Sequence, residues 1–405
     1  MLGRDPGEDH RTATPLELLF DLTFVVAFGI AADELAHYLA DDHIRTAILG
    51  FGLATFAISW AWINFSWFAS AYDTDDWLFR LTTMVQMVGV IVLALGLPVM
   101  FESVDEGQHV DNRVMVAGYV VMRVAMVFQW ARAARQDPAR RPACMTYITT
   151  ILLAQAGWIV LLVLEATVAV TFACVVVLVL IEFAGPWIAE TRKGGTPWHA
   201  HHIAERYGLL VIIALGEGVI GTIASLSAVV GPEGPGWSVE AAGLALAGIG
   251  LTFGMWWIYF VVPAGPVLHV FRERSFGWGY GHIPILGAVV ATGGGLHVAA
   301  YYLEGEAVLD ASATVLTVVV PVAVFVLGIF VLYAFLTRTF DRFHLLLMAL
   351  SLLFLAAPVP MAAGGIGMTW CLLVLSLSPW VTVVGYELRG HRHNARVLEQ
   401  VLQAG

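Results

Sequence analysis

The sequence predicts an all-α fold, a polytopic transmembrane helix bundle of about 12 spans arranged as two six-helix repeats in the same orientation. Three observations predict it. Apolar residues make up 59% of the 405 positions and charged residues only 13%, more apolar surface than a water-soluble domain can bury. The apolar residues gather into segments of about 20, each long enough to cross a hydrocarbon core. The cations between those segments fall on alternate connections.

The spans are expected at 14–38, 47–70, 78–101, 113–134, 145–164, 167–189, 203–229, 239–262, 281–303, 312–337, 343–361 and 367–387. On the side that holds the N-terminus lie Arg4, Arg11, Arg80, Arg132, Arg135, Arg140, Arg141, Arg192, Lys193, Arg272, Arg274, Arg338, Arg342, Arg389, Arg392 and Arg396, against Arg45 and Arg113 on the other. By the positive-inside rule both termini are cytoplasmic, as expected of a multi-pass protein of the cytoplasmic (inner) membrane. Residues 1–13 form a polar cytoplasmic segment containing Asp5 and Glu8, so the first span itself is the expected insertion signal. Residues 14–190 form the first repeat, 191–202 a cytoplasmic hinge, 203–387 the second repeat and 388–405 a cytoplasmic tail. The hinge region carries Gly194, Gly195 and Pro197.

The repeat is read from recurring patterns. Glu17 and Glu205 each stand at the entrance of an apolar helix, and Trp60-Ala-Trp62 in span 2 parallels Trp256-Trp257-Ile-Tyr259 in span 8. Six spans per copy is an even number, so the copies share one orientation.

Composition excludes several classes. The net charge of −11 comes from acids in loops and within spans, and no basic patch beyond the topogenic arginines suggests nucleic-acid binding. Cys144, Cys174 and Cys371 sit in or beside apolar spans and build neither a disulfide framework nor a zinc pattern. No phosphate-loop or dinucleotide signature occurs, so no cofactor is implied; Gly293-Gly294-Gly295 reads as a site of tight helix packing. His199, His201, His202 and Glu205 are close enough in sequence to consider a metal, but the pattern matches no recognised ligand set and no metal is assigned.

Chemistry is concentrated in the ionisable residues of the spans. A charge at bilayer depth costs about 2.5–3.5 kcal/mol on insertion scales, so each calls for a partner or a function. Glu17 and Asp21 are one helical turn apart on the first span. On the seventh, His199, His202, Arg206 and Glu217 form a polar stripe that runs inward. Arg123 in span 4 is the expected counter-ion of a buried carboxylate, Glu182 lies in span 6 and His282 opens span 9. Asp73, Asp75, Asp76 and Arg80 form a turn after span 2, and Trp62, Trp257 and Tyr259 could wall a ligand. Together these groups predict a hydrated vestibule open to the cytoplasm.

Three motifs carry a resemblance to a known family. They are Ala13-Thr14-Pro15-Leu16-Glu17-Leu18-Leu19-Phe20-Asp21-Leu22-Thr23-Phe24-Val25-Val26, the turn Tyr72-Asp73-Thr74-Asp75-Asp76 followed by Arg80, and the stretch from His202 through Glu205-Arg206 to Gly216-Glu217. In this order they resemble the bacterial low temperature requirement protein A family over nearly the whole chain, with Gly218 where a serine is expected. The resemblance implies a multi-pass inner-membrane protein. It marks Glu17, Asp21, Asp75, Asp76, Arg80, His202, Glu205, Arg206 and Glu217 as positions without assigning their chemistry.

The leading functional expectation is a proton-linked secondary transporter, in which Glu17, Asp21, Glu205, Glu217 and His202 exchange protons. In that reading Arg80, Arg123, Arg206, Asp75, Asp76, His282, Trp62, Trp257 and Tyr259 bind a small organic or lipid-like ligand. The alternative is a membrane-embedded acid/base enzyme working on a lipid-like or isoprenoid substrate from the cytoplasmic leaflet. A third is a structural or sensory membrane protein. Substrate, ion coupling and oligomeric state are not written in these residues.

Overall fold

A computed structural model describes residues 1–8, 11–231, 236–339 and 341–403. Its helices are α1 (Pro15–Ala40), α2 (Ile44–Tyr72), α3 (Trp77–Leu95), α4 (Leu97–Glu106), α5 (Arg113–Gln136), α6 (Arg141–Leu164), α7 (Val168–Arg192), α8 (Ala200–Ala214) and α9 (Gly216–Val230). They continue as α10 (Val239–Phe260), α11 (Ala264–Val270), α12 (Ser275–Glu304), α13 (Ala311–Thr337), α14 (Arg342–Ala356), α15 (Pro358–Ala363), α16 (Met368–Gly385) and α17 (His391–Gln403). Among the described residues the only β pairing is an isolated bridge between His109 and Thr167.

Among the described residues twelve helical segments are long and apolar enough to cross a membrane. An all-helical architecture is what the bilayer demands, because a helix satisfies its own backbone polar groups where water is absent. Wide apolar faces remain uncovered, with Leu152, Leu153, Val163, Val176 and Leu180 each more than half exposed, as expected of side chains that meet lipid. Among the described residues these crossings are interrupted where α3 gives way to α4 at Gly96, α8 to α9 at Leu215, α10 to α11 across 261–263, and α14 to α15 at Ala357 before Pro358. α12 starts at Ser275 rather than near residue 281, because a short 3-10 turn at Arg272–Arg274 leads straight into it and Trp278 is buried.

Helix starts carry their sequence reasons. Asp76, Ser238, Asp310 and Asp341 each turn a side-chain oxygen onto free backbone N–H groups of the following helix. Gly107 and Gly305 end α4 and α12 in the left-handed conformation that a side chain resists.

The chain forms two compact units, Met1–Ala31 with Phe56–Arg206, and Ala32–Thr55 with Tyr207–Gly405. In the first, α5 packs against α3 and α6, and α6 against α7. In the second, α12 packs between α13 and α9, and α16 against α10 and α14. Glycine sets the α9–α12 approach: a Cβ on Gly221 would lie 2.5 Å from the Gly293 carbonyl oxygen, and one on Gly293 2.6 Å from the Glu217 backbone.

Candidate functional site

The first turn of α1 is built by a reciprocal cap. The Thr14 N–H donates to Glu17 Oε2 at 2.7 Å and the Glu17 N–H donates to Thr14 Oγ1 at 3.3 Å, the box expected of a Thr-x-x-Glu start. This orients the Glu17 carboxylate, and Asp21 follows one turn later on the same face. On α8, His199 performs the equivalent service: its Nδ1 accepts the His202 N–H at 3.2 Å, and Ser70 Oγ accepts the His199 N–H at 2.9 Å. His202 and Arg206 then project one turn apart.

Two ladders therefore face each other within the first unit. The lower rung joins His202 Nε2 to Glu17, at 3.2 Å from Oε1 and 3.3 Å from Oε2. In the upper rung Arg206 Nη2 donates to Asp21 Oδ1 at 2.6 Å and to Ser66 Oγ at 3.2 Å. Arg206 Nη1 also lies 3.7 Å from Glu17 Oε1, so the guanidinium serves both carboxylates. Trp62 closes the group, donating its indole N–H to Asp21 Oδ1 at 2.7 Å while the guanidinium carbon stands 5.6 Å from its ring centroid.

Glu17, Asp21, Trp62, Ser66, His202 and Arg206 are all 0% exposed. Yet Glu17 Oε1, Asp21 Oδ2, His202 Nδ1 and Arg206 Nε and Nη1 have no hydrogen-bond partner among the described residues. Fully buried polar atoms are normally satisfied, so this cluster holds unspent donor and acceptor capacity. It carries two carboxylates, one guanidinium and one imidazole.

Two further carboxylates organise the same unit. Glu182 Oε2 accepts from Trp60 Nε1 at 2.7 Å and Arg123 Nη2 at 3.0 Å, and the same Nη2 reaches Tyr119 OH at 2.9 Å. Arg123 is thus spoken for by Glu182. Glu190 collects Tyr147 OH (2.9 Å), Trp67 Nε1 (3.2 Å) and both the hydroxyl (2.6 Å) and N–H (2.9 Å) of Thr196, which ties the loop before α8 to the end of α7.

The turn between α2 and α3 has local work. Asp76 caps α3 through the N–H groups of Leu78 and Phe79 and pairs with Arg132, whose Nη1 stands 3.0 Å from Oδ1; that pairing holds the carboxyl well below the usual range. Arg80 grips Asp75 in a forked pair at 2.8 and 2.7 Å, which lowers the Asp75 carboxyl, and both side chains are more than half exposed. Asp73 behaves otherwise. It is buried, which raises its carboxyl, with Glu17 adding to the rise and the Asp75 N–H and Arg11 opposing it. Arg11 lies 3.9 Å from it and donates to the Ala69 carbonyl at 3.1 Å.

Residues 12–378 match the family described as bacterial low temperature requirement A protein (LtrA). The chain belongs to that family. A relative in Rhizobium meliloti (strain 1021), described as an uncharacterized protein, is 27% identical over 304 residues, which cover 71% of this chain and 70% of that one. No solved structure matches. The span of the LtrA match contains every member of the two ladders and excludes α17.

The remaining expected residues of this LtrA chain lie in the second unit or stand apart. Glu217 opens α9 directly after the interruption at Leu215, where the Gly218 N–H reaches the Leu215 carbonyl at 3.1 Å in a tightened turn. It is 4% exposed and makes no hydrogen bond among the described residues. His282 Nδ1 meets the Trp278 carbonyl at 2.7 Å, so that nitrogen carries the proton and Nε2 accepts from Tyr259 OH at 3.0 Å. Trp257 is 37% exposed and, with Trp256, Trp380 and Gly216, lines a cavity of about 470 Å³. Glu205 is half-buried with no polar partner among the described residues. Among those residues no group of three His, Cys, Asp or Glu side chains could hold a metal. The expected residues thus distribute over separate clusters. Sequence reading passed over Asp33 and the capping role of Thr14, although an aspartate inside an apolar span and a Thr-x-x-Glu start were both visible.

Proposed function

We propose that this LtrA protein is a proton-linked secondary transporter of the inner membrane with both termini cytoplasmic, and that the Glu17–His202 and Asp21–Arg206 rungs are its proton-exchanging core. The topology rests on the arginine asymmetry of the connections. We also read the chain as two six-span repeats in the same orientation, residues 14–190 and 203–387. The ligand is a small organic or lipid-like molecule.

The observation that carries the reading is the charge balance of a fully buried cluster. Two carboxylates share one guanidinium, so the group is one negative charge in excess while His202 is neutral and balanced once His202 or a carboxyl takes a proton. A site in a low-dielectric surrounding that changes by one charge on one proton is a device for exchanging that proton against a charged solute. The unpartnered atoms of the cluster supply groups for such a solute to engage. In the described conformation the cluster is closed, as an occluded step of alternating access requires.

The test is proton movement in proteoliposomes loaded with a pH-sensitive dye, on addition of a panel of small organic cations, anions and weak bases. The expected result is solute-dependent alkalinisation or acidification that responds to an imposed potential and is lost in Asp21→Asn and in His202→Gln. If no solute in the panel moves protons, and the protein instead changes the chemical structure of an added isoprenoid lipid, the acid/base enzyme reading replaces this one. That second reading draws on the pairing of the capped Glu17 carboxylate with the His202 imidazole near the starts of α1 and α8, an acid and a base held together.

A further inference from the structure

The second unit holds an acid–imidazole–acid series that no part of the proposed core uses. His297 Nδ1 stands 3.1 Å from Asp33 Oδ1. The Asp33 side chain is 66% exposed and that of His297 14%, whereas Glu217 is 4% exposed. Exposure thus falls in one direction along the three. Asp33 lies about 27 Å along α1 from Pro15, near the far end of that helix. Glu217 sits in the first turn of α9, immediately beyond the break in its crossing.

The surroundings leave Glu217 available. Gly293 of α12 packs on the Glu217 backbone, a Cβ there lying 2.6 Å from it, and His297 follows Gly293 one helical turn later on the same face, while α10 presents Thr252 against Gly218. The Gly293 contact fixes where the Glu217 side chain starts. A buried intramembrane carboxylate with no hydrogen-bond donor among the described residues holds its charge at high cost and gains from a proton. An exposed carboxylate joined to an imidazole supplies the route for one.

We infer that Asp33, His297 and Glu217 form a proton relay, in which the exposed Asp33 loads His297 and His297 passes the proton to the buried Glu217. The step balances without a co-reactant. The Asp33 carboxyl proton goes to His297 Nδ1 as that ring's Nε2 proton goes to the Glu217 carboxylate, leaving Asp33 ionised, the imidazole neutral in its other tautomer and Glu217 protonated. The ligand of this site is the proton itself. The inference does not rest on the transport reading, since it needs no carried solute.

The experiment is time-resolved infrared spectroscopy of the purified full chain in detergent after a pH drop, following the protonated-carboxyl band, with each variant's trace subtracted from the parent's so that the carboxyls of the first unit cancel. Glu217→Gln should remove one band. His297→Gln should slow its appearance by at least about tenfold while leaving its final amplitude, and Asp33→Asn should do the same. Asp33 is the exposed member, so Asp33→Asn decides the matter if His297→Gln fails to fold. A band that survives Glu217→Gln, or a rate unmoved by Asp33→Asn, overturns the relay. Proton flux in proteoliposomes can fail while this band behaves as expected, so the two readings fail separately.

Discussion

Arg206 reaches Asp21 at 2.6 Å from a helix 185 residues further along the chain, and the pair is wholly buried. Breaking one half of such a pair leaves an uncompensated charge. Asp21→Asn is therefore expected to destabilise the protein by about 3–5 kcal/mol. The double variant Asp21→Asn with Arg206→Met should recover more than half of that loss, measured by unfolding in mixed micelles. Strictly additive single-variant costs would show that the two side chains are not coupled.

The tryptophans separate into two kinds. Trp62→Phe removes the indole donor from Asp21 and should cost about 1–3 kcal/mol, the penalty of an unsatisfied buried acceptor. Trp257→Phe, at a 37% exposed ring, should change the unfolding free energy by no more than about 0.5 kcal/mol. Equal effects in the same thermal-shift assay would contradict the assignment of Trp62 as a carboxylate donor.

Gly293 and Gly221 lie where α9 and α12 touch. Gly293→Ala would push a methyl into the Glu217 backbone, and an overpacking cost of about 1–3 kcal/mol is expected. Gly216→Ala, with nothing within 4 Å of its added carbon, is the control and should be tolerated. Comparing the yield and melting temperature of the two purified variants checks this.

Asp76 supplies a pH dependence with a definite sign. Its folded-state carboxyl is depressed by Arg132, so the stability it contributes is complete above the ordinary carboxylate range and is lost as pH falls through and below it. Melting temperature followed from neutral to acid pH should fall less steeply in Asp76→Asn than in the parent. Arg80→Ala, which breaks an exposed and solvent-screened pair, should leave this pH profile unchanged. A steep acid limb unchanged by Asp76→Asn would assign the acid sensitivity elsewhere.

The crossings were legible because bilayer thickness writes itself into apolar run length, and α1, α5, α7 and α13 fall close to the expected bounds. The interruption at Leu215 was not, because Gly216 and Gly218 beside it read equally well as small residues for tight helix packing within an unbroken crossing. Within the site, Asp21, Arg123, Glu182 and Arg206 each stood out as charges in apolar surroundings. Their pairing did not: composition names Arg123 and Arg206 as equivalent counter-ions, and only packing sends one to Glu182 and the other to Asp21. Within the first unit these four charges resolve into two pairs, Arg123 with Glu182 and Arg206 with Asp21. Glu190 did not stand out in the sequence, because its four donors come from α2, α6 and a loop that sequence proximity does not connect.

Trp60 and Trp62 are two residues apart, so their side chains leave α2 about 200° from each other. One indole is fastened to Glu182 of α7 and the other to Asp21 of α1. Spinning α2 about its own axis would tear both bonds at once, and sliding it lengthwise would misalign them together. Any rearrangement within the first unit that separates these parts of α1, α2 and α7 must therefore break both indole bonds, and one that keeps the bonds moves the three together.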